Sequence, residues 1–445
     1  MAERKSLIFY GWIIVAVTFV TLLTIYGLRH SFSVFYVAIL DEFGWSRADT
    51  SLIFSINVLV YGISAPIAGG LVDRFGPRVI LPMGALITAL GALGCSLSNQ
   101  VWHFYFIYGV IMAFGMSTAG FAPHAPVLSN WFVRKRGAAM GIAMAGIGVS
   151  FVVATVAQYL ISYFGWRAAF LILGSVIAVV VVPITAMLQR HRPQDKGLLP
   201  DSDTEIGGNL GGHGAHGTSG EDLMVDHKWA TTEWNLAKAL LMPRFWFLFF
   251  AFFFFWGVGI YLVLQHFIAF ASDMGYSRIF AAWLVTFYGV TNSLGHAMGG
   301  YISDRMGREL TYTLSVAGAI VAILMLFLTR DASQPWMLVT YSTLLGLSAG
   351  VCAPTGTAIS ADLFQGKNFG SINGFIVMGF GMGGSFGPWL GGYIYDLMGN
   401  YNLAFIICIL ALGLAGSFIW VVAPRKVRLV GGKARAAAVV PQLTE

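Results

Sequence analysis

Eleven stretches of this 445-residue chain are long enough to cross a bilayer without a single Asp, Glu, Lys or Arg, from Leu7–Leu28 at one end to Leu397–Pro424 at the other. A helix needs about 20 apolar residues to span the hydrocarbon layer, and a soluble domain has no interior large enough to hide so many. The run from Val79 to Val133 is far longer than the rest and must hold two spans, broken near Ser98-Asn99-Gln100. Hydrophobic residues make up 57% of the chain and charged ones 10%, well outside the range of average soluble domains. The expectation is an all-α membrane protein with twelve transmembrane helices. The first run continues through Phe32 to Leu40 without a small-residue cleavage site, so it reads as the first span and not as a signal peptide.

The chain also repeats itself once. Gly69–Arg78 (GGLVDRFGPR) returns as Gly299–Arg308 (GGYISDRMGR), and a shift of 231 residues carries Asp73 to Asp304, Arg74 to Arg305 and Gly76 to Gly307, as it carries Gly44 to Gly275, Ser46 to Ser277 and Arg47 to Arg278. A period this long marks a duplicated half, since solenoid units recur every 20–50 residues or so. Two pseudo-symmetric six-helix halves follow, residues 1–189 and 244–424, with a cytoplasmic linker at 190–243 and a basic cytoplasmic tail at 425–445.

With the N-terminus inside, only Arg47, Arg167, Arg278 and Arg330 fall in outer loops, and every other Lys or Arg except Arg29 falls in an inner segment. That is the positive-inside bias, and it places both termini in the cytoplasm. The net charge of +6 is accounted for by this bias, so it implies no nucleic-acid partner. The expected setting is a plasma membrane, a bacterial inner membrane, with the protein as a monomer. The tract GGNLGGHGAHGTSGED in the middle reads as solvated linker, and His213 and His216 within it lack further residues at ligand spacing. Cys95, Cys352 and Cys408 lie in three different spans and read as packing residues. The pattern calls for no metal and no cofactor.

Two local signals bear on how the helices are set. Ser46-Arg47-Ala48-Asp49 has the S-x-x-D form of an N-terminal cap for the second span. Helix five carries Gly137, Gly141, Ala145, Gly146 and Gly148, and helix eleven Gly370, Gly374, Gly381, Gly384, Gly387 and Gly391; small residues at such spacing let helix backbones approach closely in lipid.

Twelve spans, a charged middle linker and a duplicated G-x-x-x-D-R-x-G, followed within two residues by Arg78 or Arg308, together resemble the major facilitator superfamily over nearly the whole chain. Within it, Tyr10-Gly11-Trp12, the Ser31–Tyr36 stretch and the string Trp131-Phe132-x-x-Lys135-Arg136-x-x-x-x-Gly141 resemble the monocarboxylate and oxalate–formate porter branch. The resemblance implies a carrier of small organic anions. It also implies an acid and an arginine on helix eight, and that register, counted from Gly289, lands here on Asn292 and His296. Where the branch often has a lysine in helix one, this chain has His30, preceded by Arg29.

The residues support the same reading independently. Arg29 is the only Lys or Arg inside a span, and all acidic residues fall in loops or at helix ends, so no embedded carboxylate is available to it. An unpaired charge in the bilayer costs about 3 kcal/mol or more, which an anionic cargo would offset; snorkelling to the outer surface is the competing reading. Proton coupling needs a titratable group, and His296, His30 and His266 are the candidates. Substrate contacts are expected from Arg29, His30, Tyr36, Tyr261, Gln265, Asn292 and His296, with Asn57, Tyr61 and Tyr288 also able to line a cavity. A cytoplasmic gate is expected from Asp73, Arg74, Arg78, Asp304, Arg305 and Arg308, with Asp73 facing the start of helix eleven and Asp304 that of helix five.

The expected function is secondary active transport of a small organic anion, a monocarboxylate, by proton symport with alternating access. Alternatives are organic anion exchange of the oxalate–formate kind, proton-coupled efflux of cations, for which the spans lack an acid, and a non-transporting anion receptor, for which the linker offers no signalling module. The chain has no phosphate-binding loop and no hydrolase motif context, so an enzyme is not expected.

Overall fold

A computed structural model describes residues 9–132, 136–199, 224–230, 232–364 and 368–428. Helices carry the fold, and among the described residues twelve long ones run in chain order. They are α1 Tyr10–Phe43, α2 Arg47–Phe75, α3 Pro77–Ser96, α4 Val101–Trp131, α5 136–164 and α6 166–188. The second set is α7 Pro243–Asp273, α8 Arg278–Met306, α9 Arg308–Leu328, α10 Pro335–Leu363, α11 Phe369–Met398 and α12 Asn402–Val422. The Val79–Val133 run does break at 97–100, between α3 and α4. Its first helix shows the inverted logic of a lipid-embedded element. Val79, Met83, Leu86, Leu90, Leu93 and Leu97 are exposed along one face, while Ile80, Leu81, Ala85, Ala89 and Ala92 are buried on the other.

Local chemistry explains the helix ends. Ser46 caps α2, its Oγ accepting the Asp49 N–H at 2.9 Å and donating to the Asp49 carboxylate at 2.8 Å, so the S-x-x-D signal does what its spacing implies. Gly44 and Gly275, and Gly76 and Gly307, are partners under the 231-residue shift, and all four have positive φ (63°, 88°, 79° and 100°). A side chain is strained there, so the repeated glycines are turn-makers between consecutive spans. The α5–α6 corner is made the same way at Gly165, φ 79°.

The chain divides into two compact units, residues 1–208 with 278–286, and residues 209–277 with 287–445. The first thus holds α1–α6 and the opening turns of α8. Its core includes Ile14, Val15, Val127, Leu128, Trp131, Phe132, Ala139 and Ala143, with Phe9, Tyr10 and Trp12 packed against them. The two family-like strings around Tyr10-Gly11-Trp12 and Trp131-Phe132 therefore meet in one aromatic cluster. Tyr10 and Trp131 extend it by donating to the carbonyls of Leu188 (2.7 Å) and Arg190 (3.1 Å) just past α6.

In the second unit α11 packs on α7 so closely that a Cβ at Gly379, Gly383 or Gly387 would fall 2.5, 2.4 or 2.2 Å from the backbone oxygens of Phe249, Phe253 and Gly257. Gly391 meets His266 in the same row. The glycines at 370, 374 and 381 have nothing within 4 Å, so the packing stripe is 379/383/387/391, one phase away from part of the expected set. In α5, Gly141 is likewise open, and Gly146 makes the close contact, 2.6 Å from Phe19 O of α1. The last stretch before α7, expected as linker, is built in: Trp229 donates to Leu363 O at 2.7 Å, and Asn368 to Trp234 O at 3.1 Å. His213 and His216 lie outside the described residues.

Candidate functional site

Arg29 sits two residues before a break in α1, where Ser31 Oγ bonds back to Gly27 O at 2.7 Å, a substitution of side chain for backbone pairing that bends helices. The side chain does not snorkel, since the residue is only 3% exposed. Its guanidinium carbon lies 4.2 Å from the centre of the Tyr61 ring on α2. Nε and Nη2 are buried without a hydrogen-bond partner, and among the described residues no carboxylate pairs with this cation. Buried N–H groups are nearly always satisfied; two on one charged group point to a missing acceptor.

The surroundings are polar and aromatic. Tyr61 and Tyr26 share a hydroxyl–hydroxyl hydrogen bond of 2.5 Å. Tyr108 of α4 reaches Arg29 O at 3.5 Å. It lies in a π-helical segment, Ile107–Met112, and its own carbonyl accepts from Asn57 at 2.8 Å. Such widened turns recur at functional sites. His30 bonds through Nδ1 to Ser150 Oγ at 2.8 Å and stacks on Phe151 at 3.9 Å. Tyr36 is fully buried with its hydroxyl 3.4 Å from Arg47 O, so it ties α1 to the start of α2 and stands apart from the Arg29 group. Sequence reasoning named Tyr61 but missed Tyr26, although Tyr26 precedes Arg29 by three residues and so shares its helix face.

The second unit carries its own candidates. Tyr261 ends the π-helical stretch Phe253–Tyr261 of α7 and packs edge-on to Phe380 at 5.4 Å. Gln265 is 4% exposed with Nε2 unpartnered. Asn292 is turned into the α8–α10 contact, where its Nδ2 lies 3.4 Å from Gly346 O. His296 is anchored through Nδ1 to Asn292 O at 3.0 Å and leaves the rest of its ring exposed. His266 is different: Nε2 donates to Pro388 O at 2.7 Å and Nδ1 accepts from the Tyr401 hydroxyl at 3.1 Å. Both its nitrogens are occupied in packing α7 on α11 and α12, which favours a structural role over proton coupling.

At the gate motif the two copies differ. Arg308 bonds to Asp304 (2.6 Å), Ser303 Oγ (2.8 Å) and Asp362 (2.8 Å), so Asp304 has a partner one turn away on its own side of the turn. Arg78, at the end of the first copy, donates to Ala186 O at 2.8 Å. Arg305 and Arg74 lie over the rings of Tyr301 (4.3 Å) and Phe75 (5.1 Å), and the Asp73 side chain is outside the described set. Asp362 and Glu309 are acids at helix ends, as expected, yet both are buried and matched. Glu309 accepts the Arg425 N–H at 3.0 Å. Glu42 pairs with Arg167 and with Trp166 Nε1. Against this background Arg29 is, among the described residues, a buried cation with no carboxylate partner.

Comparison with known proteins decides the family. The model of the Major Facilitator Superfamily matches residues 14–281 and 267–443. The chain belongs to the Major Facilitator Superfamily. It is a membrane transporter of that superfamily and not an enzyme, and it is related to monocarboxylate transporters. It is 28% identical over 421 residues to monocarboxylate transporter 13 of Bos taurus, covering 93% of this chain and 89% of the relative. To monocarboxylate transporter 2 of Homo sapiens it is 26% identical over 407 residues, covering 90% and 82%. Among solved structures, a bacterial homolog of the human lysosomal transporter Spinster, in an inward-facing and occupied conformation, superposes with a TM-score of 0.67 at 18% identity, over 94% of this chain and 98% of that one; this likeness speaks for the superfamily fold.

Proposed function

We propose that this transporter moves a small organic anion, a monocarboxylate, together with a proton, by alternating access. The observation that carries the reading is the Arg29 guanidinium, 3% exposed, with Nε and Nη2 lacking acceptors. A carboxylate is the natural complement of two adjacent guanidinium N–H groups, because its oxygens match their fork. The relatives named as monocarboxylate transporters support that class of cargo. His30 and His296 are the titrating candidates, since each keeps one ring nitrogen outside the contacts described above. The protein acts in a bacterial inner membrane with both termini cytoplasmic.

The test is uptake into proteoliposomes. An acid-outside pH jump accelerates entry of labelled lactate or pyruvate, and Arg29→Gln abolishes it while the protein stays monodisperse. Uptake that is indifferent to the pH jump, or unchanged in Arg29→Gln, refutes the reading.

A further inference from the structure

We infer that the aromatic face of Tyr61 serves as the counter-group of Arg29 when no anion is bound, so that the empty carrier reorients and the protein performs net transport and not obligatory exchange. The inference rests on the assignment of Arg29 as the anion-binding group.

A carrier whose site holds a bare buried cation is trapped when unloaded, because moving that charge through a closed, water-free intermediate is costly. Such a protein turns over only by swapping one anion for another. Here the guanidinium carbon lies 4.2 Å from the Tyr61 ring centre, inside the range of about 6 Å over which a ring quadrupole attracts a cation. The guanidinium carbon lies over the ring, whereas a carboxylate bonds to N–H groups such as those at Nε and Nη2. Substrate and ring therefore need not compete for the same groups of the cation. The N–H groups at Nε and Nη2 remain without acceptors, so the ring compensates charge without blocking the site.

The ring is also held in place from three directions. Its hydroxyl bonds to that of Tyr26, at 2.5 Å, one turn before Arg29 on α1. Its backbone carbonyl accepts from Ser117 Oγ of α4 at 3.1 Å. The residue facing its hydroxyl is Gly120, where a Cβ would come within 2.9 Å of the phenol oxygen. A platform fixed this way stays under the guanidinium whether or not cargo is present. Tyr61 is thus a positioning residue, acting on the substrate through Arg29.

The experiment compares two modes of transport in proteoliposomes, net uptake into empty vesicles and counterflow into vesicles preloaded with the same acid, using labelled lactate, pyruvate, formate and oxalate. Tyr61→Leu lowers the ratio of net uptake to counterflow at least tenfold. Tyr61→Phe, which keeps the ring and loses the phenol, restores the ratio; Tyr61→Met replaces Tyr61→Leu if the latter does not fold. Equal loss of both modes in the Leu or Met variant, an unchanged ratio, or failure of Tyr61→Phe to restore it overturns the inference. Wild-type protein that moves none of the four acids in either mode overturns the Arg29 assignment itself, and this inference with it. A pure exchanger, with counterflow and no net uptake in wild type, overturns the role of Tyr61 and the proton symport proposed above, and leaves the Arg29 assignment standing.

Discussion

Arg308 and Asp362 form an ion pair of 2.8 Å whose side chains are only 13% and 10% exposed, and it links the end of α10 to the first residue of α9. Removing Asp362 leaves Arg308 with only the largely exposed Asp304 carboxylate, and breaking a buried pair costs up to about 3 kcal/mol. Asp362→Ala is therefore expected to lower the melting temperature of the detergent-solubilised protein by several degrees. The double variant Arg308→Met with Asp362→Leu should recover most of the loss, because it removes both charges together. Thermal unfolding followed by intrinsic Trp fluorescence checks both, and an Asp362→Ala variant as stable as wild type would sink the claim that the pair holds this end of the half.

The gate motif shows where reading the chain runs out. The repeat puts the two arginines one residue out of register: under the 231-residue shift Arg308 falls on Pro77 and Arg78 on Glu309, while the positive φ at Gly76 and Gly307 marks equivalent turns. Their partners differ because of that offset and because position 362 is an Asp where position 131 is a Trp. That contact is 54 residues away from Arg308, and no local pattern announces it. Arg29 was legible from sequence alone, since it is the sole basic residue in a span. Its setting was legible only in part: helical spacing could have revealed Tyr26, whereas the placement of Tyr61 under the guanidinium depends on how α1 and α2 pack. The glycine row of α11 was likewise visible as a row, but which phase meets α7 is decided by the partner helix.

That phase makes a second prediction. Gly383→Ala forces a methyl to within 2.4 Å of Phe253 O, and overpacking of this kind costs about 1–3 kcal/mol. Gly374→Ala adds a methyl where nothing lies within 4 Å and gains up to about 1 kcal/mol of helix propensity. The first variant should melt below wild type and the second at or above it, in the same detergent. Equal destabilisation by the two would show that α11 meets α7 in some other phase.

His266 and His296 should separate in function. His266→Leu deprives Pro388 O and the Tyr401 hydroxyl of the bonds they make to this ring, so about 1–3 kcal/mol of stability goes with each group left unsatisfied. The dependence of uptake on external pH should nevertheless keep its shape. His296→Gln preserves a side-chain donor next to Asn292 O but does not titrate, and should flatten that dependence with little change in melting temperature. Uptake measured from about pH 5 to pH 8, the range in which histidine ordinarily changes charge, distinguishes them. A flattened profile in His266→Leu would return that residue to the proton pathway.

Arg29→Met is expected to trade function for stability. The native residue holds a charge with no carboxylate partner among the described residues, at 3% exposure, with Nε and Nη2 unsatisfied and the Tyr61 ring as its cation–π contact. A cation–π contact returns about 2 kcal/mol when desolvated, less than the several kcal/mol that burying an ion costs. Met has a comparable unbranched stem and no charge, so the empty variant should melt a few degrees above the empty wild type. Adding a transported acid should then raise the wild-type value, because a ligand that binds only the folded state stabilises it by mass action, and leave the variant where it was. Uptake by the variant should be lost. If Arg29→Met instead melts well below wild type in the absence of any acid, the guanidinium is a structural anchor, and the unmet N–H groups do not mark where the cargo binds.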